Sequence, residues 1–279
     1  HRIVNFVPSM YAKSIPKEYQ EPALIRIMEA IVFMYNTEVH STPPIKNLWE
    51  LTEPKYKGKV VIKDPLGSYS NLMGIATIVG HPEEMEKAYK KMTGKNLVLS
   101  PGVEDAGYEW LYRLLHNDLI ILESGGKVTG SSGKKGQKDP PISITSFTYY
   151  RYNQTNGYIN GIVYPMEPSD GVIYPTYTAI ARQAPHPNAA KLFTAFMLGD
   201  PAITLDTVIN EPYTEGKSLE LLQGLAPYYE PGSMSPRTNV PLPKGGEEWN
   251  NMKMWVVDPE FMWFNGPKVQ DFWIKEVAK

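Results

Sequence analysis

The 279 residues include no cysteine. That absence excludes disulfides, thiolate metal sites, iron–sulfur clusters and cysteine nucleophiles. No apolar run reaches the ~18–20 residues of a membrane-spanning helix. The most apolar stretch, Ala23 to Tyr35, is broken by Arg26 and Glu29. Neither sign of charge dominates: 28 Lys and Arg against 30 Asp and Glu leave −2. No broad basic field exists to hold nucleic acid or an anionic membrane. GxGxxG, GxSxG and HExxH do not occur. Gly216-Lys217-Ser218 has the end of a phosphate-binding loop, but Glu211 stands where that loop needs glycine. The five histidines, at 1, 40, 81, 116 and 186, show no metal-ligand spacing and read as structural or exposed. The chain begins at His1 with no initiator Met and no signal peptide, which predicts a processed or partial chain.

Proline and glycine are plentiful. The 25 prolines and 22 glycines make 47 of 279 residues, above the ~12% of average usage. Such a chain builds short elements joined by many ordered loops. A hydrophobic share of 42% with 21% charged residues is that of a folded chain, long enough for one large or two modest domains. Ala23–Asn36 fits either a helix by its period or a buried strand by its β-branched end. KVVIKD (59–64) predicts a strand, with helices after Gly67, after His81 and over Ala106–His116. The stretch 123–141 reads as a polar loop and ISITSF (142–147) as a strand; Asn188–Leu198 and Pro259–Lys279 read as helices. Strands alternating with helices of about ten residues predict an α/β fold with a mainly parallel sheet.

Three segments could carry chemistry. Gly67-Ser68-Tyr69-Ser70 lies between the 59–64 strand and a helix. Backbone N–H groups and serine hydroxyls there suit an anion, while Ser68 or Ser70 could equally be a simple helix cap. Thr148-Tyr149-Tyr150-Arg151-Tyr152-Asn153 follows a strand, and ligands gather at the carboxyl ends of strands in open α/β sheets. Phenolate oxygen suits a hard trivalent cation. An unperturbed tyrosine has a pKa near 10, so the cation must lower it, with Arg151 assisting; packed aromatics are the competing reading. Lys127, Lys134, Lys135 and Lys138 form a basic, glycine-rich segment that reads as solvated or as touching an anion.

The order of these motifs resembles the class II periplasmic solute-binding proteins of ABC importers, in particular the ferric-ion-binding branch. NLWELTEPKYKGKVVIKDP (47–65) is similar to a diagnostic segment of that family, preceded by Met34-Tyr35-Asn36 and followed by Gly67-Ser68. Tyr149-Tyr150-Arg151-Tyr152-Asn153 resembles its paired-tyrosine motif, and Ser235–Val240 its late proline–arginine turn. The resemblance implies a two-lobed α/β fold whose first lobe is incomplete, because relatives carry a long segment ahead of the part matched here. It implies a partial first lobe of 1–31 and 174–245, and a second lobe of 32–173 and 246–279. It implies Fe(III) held by Tyr149 and Tyr150, with phosphate, carbonate or citrate at Gly67, Ser68 and Ser70 and a further ligand contact from Arg151. It also implies a non-enzymatic, monomeric, extracytoplasmic protein, either unattached or lipid-anchored, that binds a small ligand and delivers it to an inner-membrane permease, with no nucleic-acid partner. An organic anion, polyamine or phosphorylated small molecule is the alternative cargo. A hydrolase is the alternative of another class, although no catalytic pair stands out among the acidic residues.

Overall fold

In the computed structural model of the protein, residues 3–201, 232–240, 242 and 247–278 are described. Gly216-Lys217-Ser218 and His1 lie outside them, as does most of the loop-rich stretch 223–246. Contacts divide the chain into two compact units, 1–29 with 175–250 and 30–174 with 251–279.

The first unit pairs β1 (Ile3–Val4) antiparallel with β8 (Ile180–Ala181). Helix α6 (Pro187–Met197) follows. Tyr11, Ile15, Leu24 and Leu198 form a small core. The Tyr11 hydroxyl donates to the carbonyls of Ala195 at 3.2 Å and Gly199 at 2.5 Å. Arg237, from the proline–arginine turn, lies 5.0 Å from the Tyr11 ring and donates to the carbonyls of Leu198 and Asp200. Its role there is to tie the turn down.

The second unit holds the larger core. The ambiguous apolar stretch is a strand, β2 (Leu24–Asn36), and residues 30–36 are buried without interruption. A strand covered on both faces reads as a continuous apolar run, so the helical period carried no information. The sheet order is β10 (Met254–Val256), β7 (Gly171–Thr178), β2, β5 (Ile142–Ser146), β3 (Val60–Lys63) and β4 (Ile120–Leu122). β6 (Asn160–Ile162) also pairs with β2 here, while β9 (Ser233–Met234) pairs with the Met28–Glu29 end of β2, which belongs to the first unit. The sheet is mixed: β3 runs parallel to β4 and β5, and β10 to β7, but β2 is antiparallel to β5, β6 and β9. Helices α1 (Tyr69–Val79), α2 (Pro82–Thr93), α3 (Ala106–Leu115) and α7 (Pro259–Val277) cover it. α7 buries Trp273 and leaves Trp263 and Phe264 exposed.

Segment 47–65 is a structural latch. Trp49 is fully buried and donates from Nε1 to Met85 O at 2.8 Å. Trp110 of α3 donates in turn to Leu48 O at 2.9 Å. Asn47 caps the 3-10 turn Leu48–Thr52 by accepting from Trp49 N. Asn117 donates to the carbonyls of Leu51 and Glu53. Burying an indole costs little when its N–H finds a carbonyl, and here both do.

The polar loop expected at 123–141 contains a helix instead, α4 (Gly125–Gly133), capped by Ser124, which accepts from Lys127 N at 3.3 Å. Four glycines give this segment poor helix propensity. Tertiary contacts supply what propensity lacks. Ser143 donates to Val128 O at 2.8 Å and Ser132 to Asn160 Oδ1 at 2.7 Å, beside the local bond from Thr129 to Gly125 O at 2.8 Å.

Candidate functional site

Three neighbouring parallel strands end at one edge of the second unit's sheet, in the order β5, β3, β4. After β5 comes the tyrosine motif. After β3 come Asp64 and the start of α1. After β4 come Glu123, Ser124 and the start of α4. The carboxyl edge of parallel strands is where helix N-termini converge and ligands bind.

The tyrosine motif is not an extension of the strand. Phe147–Arg151 forms a 3-10 turn and Tyr152–Thr155 a single α-helical turn, α5. Ser146 makes the turn possible: its hydroxyl accepts from Thr148 N at 3.4 Å and pairs with Thr148 Oγ1 at 2.8 Å. The side chains of 149–151 are half-buried. The Tyr149 ring lies where a Cβ on Gly125 would be, and the Tyr152 ring borders Gly126. Tyr149 and Tyr152 meet edge to face at 5.5 Å, and Phe147 and Tyr150 at 5.7 Å. The Arg151 guanidinium sits 5.5 Å from the Tyr152 ring and makes no ion pair among the described residues. Asn153 is structural, exchanging two hydrogen bonds with the backbone of Asn160 at 2.8 and 3.0 Å.

At the start of α1, Ser68 occupies the N-cap position, yet its side chain caps nothing. Its hydroxyl instead accepts from Asn71 Nδ2 at 3.0 Å and lies 3.2 Å from Ser70 Oγ. Asn71 is buried, and its Oδ1 has no hydrogen-bond partner. Gly67 is exposed with an ordinary φ; an added Cβ would meet nothing nearer than Asp64 O at 3.8 Å. Packing therefore does not demand glycine at 67. The Asp64 carboxylate stands close, accepting from Leu66 N at 2.9 Å. Its negative charge opposes an anion at this helix start.

Two of the described histidines, His81 and His116, are used structurally. His81 bonds to Thr77 O at 2.7 Å and stacks on Trp255 at 4.1 Å. His116 bonds to Tyr112 O and approaches Glu276 at 3.8 Å. Among the described residues no group of three or more His, Asp or Glu is arranged to hold a metal. Sequence reasoning missed Ser124 and Gly125. The signal was present as an apolar Leu119–Leu122 followed by a serine able to cap.

With a mixed sheet flanked by helices and helix starts gathered at one edge, the architecture defines a two-lobed α/β solute-binding fold. The sequence profile of the bacterial extracellular solute-binding proteins matches residues 5–204, and the chain belongs to that family. No curated protein sequence is significantly similar to it. Among solved structures, the apo ferric ion-binding protein A of Pasteurella haemolytica superposes with a TM-score of 0.64 at 15% identity, over 98% of this chain and 76% of that one. The ferric binding protein of Campylobacter jejuni gives 0.59 at 14%, over 98% and 77%. A Trichodesmium protein in complex with iron and citrate ligands gives 0.58 at 14%, over 99% and 78%. These likenesses establish the fold. No described helix is long and apolar enough to cross a membrane.

Proposed function

We propose that the protein is the extracytoplasmic capture component of an ABC importer and that it binds ferric iron together with a small anion. Its role is binding rather than catalysis. The two contact units act as the lobes of the fold, and the permease is the macromolecular partner of a monomer. The observation that carries the reading is the convergence of three strand ends. Tyr149 and Tyr150 arrive on one, the uncapped start of α1 on the next, and the start of α4 on the third. Phenolate oxygens supply hard ligands. Ser68 and Ser70 supply hydroxyls for phosphate, carbonate or citrate, beside Gly67. The N–H groups of Gly67 and Ser68 donate to Asp64 O at 3.2 Å and Pro65 O at 3.4 Å and would have to turn to the anion. Arg151 adds positive charge that helps ionise the phenols. Calorimetric titration with ferric nitrilotriacetate, with and without phosphate, tests this. Binding should tighten when phosphate is present, and iron binding indifferent to any anion would contradict it.

A second cargo is favoured by a specific observation, an Arg151 guanidinium that lies on the Tyr152 ring and makes no ion pair among the described residues. In that reading the same edge takes an organic anion. Arg151 and the α1 start hold the charge while the tyrosines hydrogen-bond. Citrate binding undiminished by removal of all iron would favour it.

A further inference from the structure

We propose that the second unit carries another small-ligand site, a groove along α4 that takes an acidic sugar of the uronate class. The groove encloses about 660 Å3, within the roughly 300–1,000 Å3 of small-molecule sites. Its lining includes none of Gly67, Ser68, Ser70, Tyr149, Tyr150 or Arg151. One wall is a single helix face. Lys127, Ser131 and Lys134 stand at i, i+4 and i+7 along α4 and its C-cap. The opposite wall is Tyr152, Asn156 and Tyr158.

Glycine shapes the floor. A Cβ at Gly126 would lie 3.4 Å from the Tyr152 ring, and one at Gly130 would lie 2.9 Å from the Tyr158 hydroxyl. Without side chains at 126 and 130, the two rings rest against the helix backbone, edge to face at 6.1 Å. Rings so placed give a sugar an apolar surface for its C–H face. Ser131 and Gln137 spend a donor each on the carbonyls of Lys127 and Ser131, at 2.9 and 2.7 Å, but three groups keep theirs. Among the described residues the hydroxyls of Tyr152 and Tyr158 and the ammonium of Lys134 make no hydrogen bond or ion pair, whereas Lys127 is paired with Glu123. Lys135 and Lys138, both exposed, add positive charge beside Lys134. Donors and cations in excess select a ligand rich in acceptors and negatively charged. A carboxylate on Lys134 with ring hydroxyls on the tyrosines satisfies both.

The test is calorimetric titration of the protein with galacturonate, galactose and acetate in separate runs. Galacturonate should bind at least roughly tenfold more tightly than galactose or acetate, since only it combines ring and charge. Lys134→Gln should weaken galacturonate roughly tenfold by removing a charge-assisted hydrogen bond, and Tyr158→Phe should weaken it by a smaller factor. Both positions are off the core, so circular dichroism should show an unchanged fold. The Tyr149→Phe/Tyr150→Phe double variant should bind galacturonate normally, separating this groove from the iron reading. No galacturonate binding at millimolar concentration, affinity equal to that of acetate, or full affinity in Lys134→Gln would each overturn the proposal.

Discussion

Two helices begin at the same edge of one sheet, and they begin differently. At α4 the N-cap serine does its usual work, and the glycine beside it is filled by the Tyr149 ring. At α1 the N-cap serine turns its hydroxyl to Asn71 and Ser70, and the glycine beside it touches nothing closely. One start is closed by the protein's own side chains; the other is open beside its glycine. Glycine and serine in sequence do not distinguish the two. Only the occupant of the glycine's missing Cβ does.

Substitutions at the two starts should therefore diverge. Gly125→Ala places a methyl inside the Tyr149 ring. Overpacking of this kind costs roughly 1–3 kcal/mol, read as a lowered denaturation midpoint, and the displaced ring should weaken ferric binding as well. Ser124→Ala removes a cap that accepts from Lys127 N and should cost about 1 kcal/mol by the same measurement. Gly67→Ala should leave stability within roughly 0.5 kcal/mol, because its Cβ meets only ordinary contacts, yet it should weaken phosphate binding in calorimetry. Equal destabilisation at 67 and 125 would erase the distinction between an open and a closed start.

A tyrosine away from this edge sharpens the contrast. Tyr108 of α3 packs on Phe272 at 5.0 Å, and burial, with help from Glu104 and Asp105, pushes its hydroxyl up to about 12. A raised value means that the stability it contributes is present below the ordinary tyrosine value near 10 and is lost as pH rises through about 12. Spectrophotometric titration of Tyr108→Phe should lose this late step while ferric binding stays unchanged. It is the smallest effect expected.

Much of the fold was legible because its elements carry strong local signals. KVVIKD is β-branched and bounded by glycine and proline, and the helices after Ser68, His81 and Asp105 carry apolar runs or faces that the sequence displays, the last with an ordinary aspartate cap. β2 was ambiguous because a strand buried on both faces has no alternation to read. α4 was invisible because its stability comes from Ser143, Asn160 and the tyrosine rings rather than from its own residues. The tyrosine motif was legible as a strand-end feature but not as a 3-10 turn, since the Ser146 hydroxyl that starts the turn resembles any other strand serine. At the α1 start, whether Ser68 caps the helix turned on one hydroxyl's direction, which no sequence pattern encodes.

The central claim is that the Tyr149 and Tyr150 hydroxyls hold ferric iron. It is tested most directly by visible absorption during titration with ferric nitrilotriacetate in phosphate buffer. The protein should develop a phenolate-to-iron charge-transfer band that saturates at one equivalent. Tyr149→Phe/Tyr150→Phe should show no band and should lose affinity beyond the roughly 10–100-fold typical of outer-shell changes at metal sites, with its fold intact. A band of full intensity in the double variant, or saturable iron binding without any band in the parent, would contradict the account.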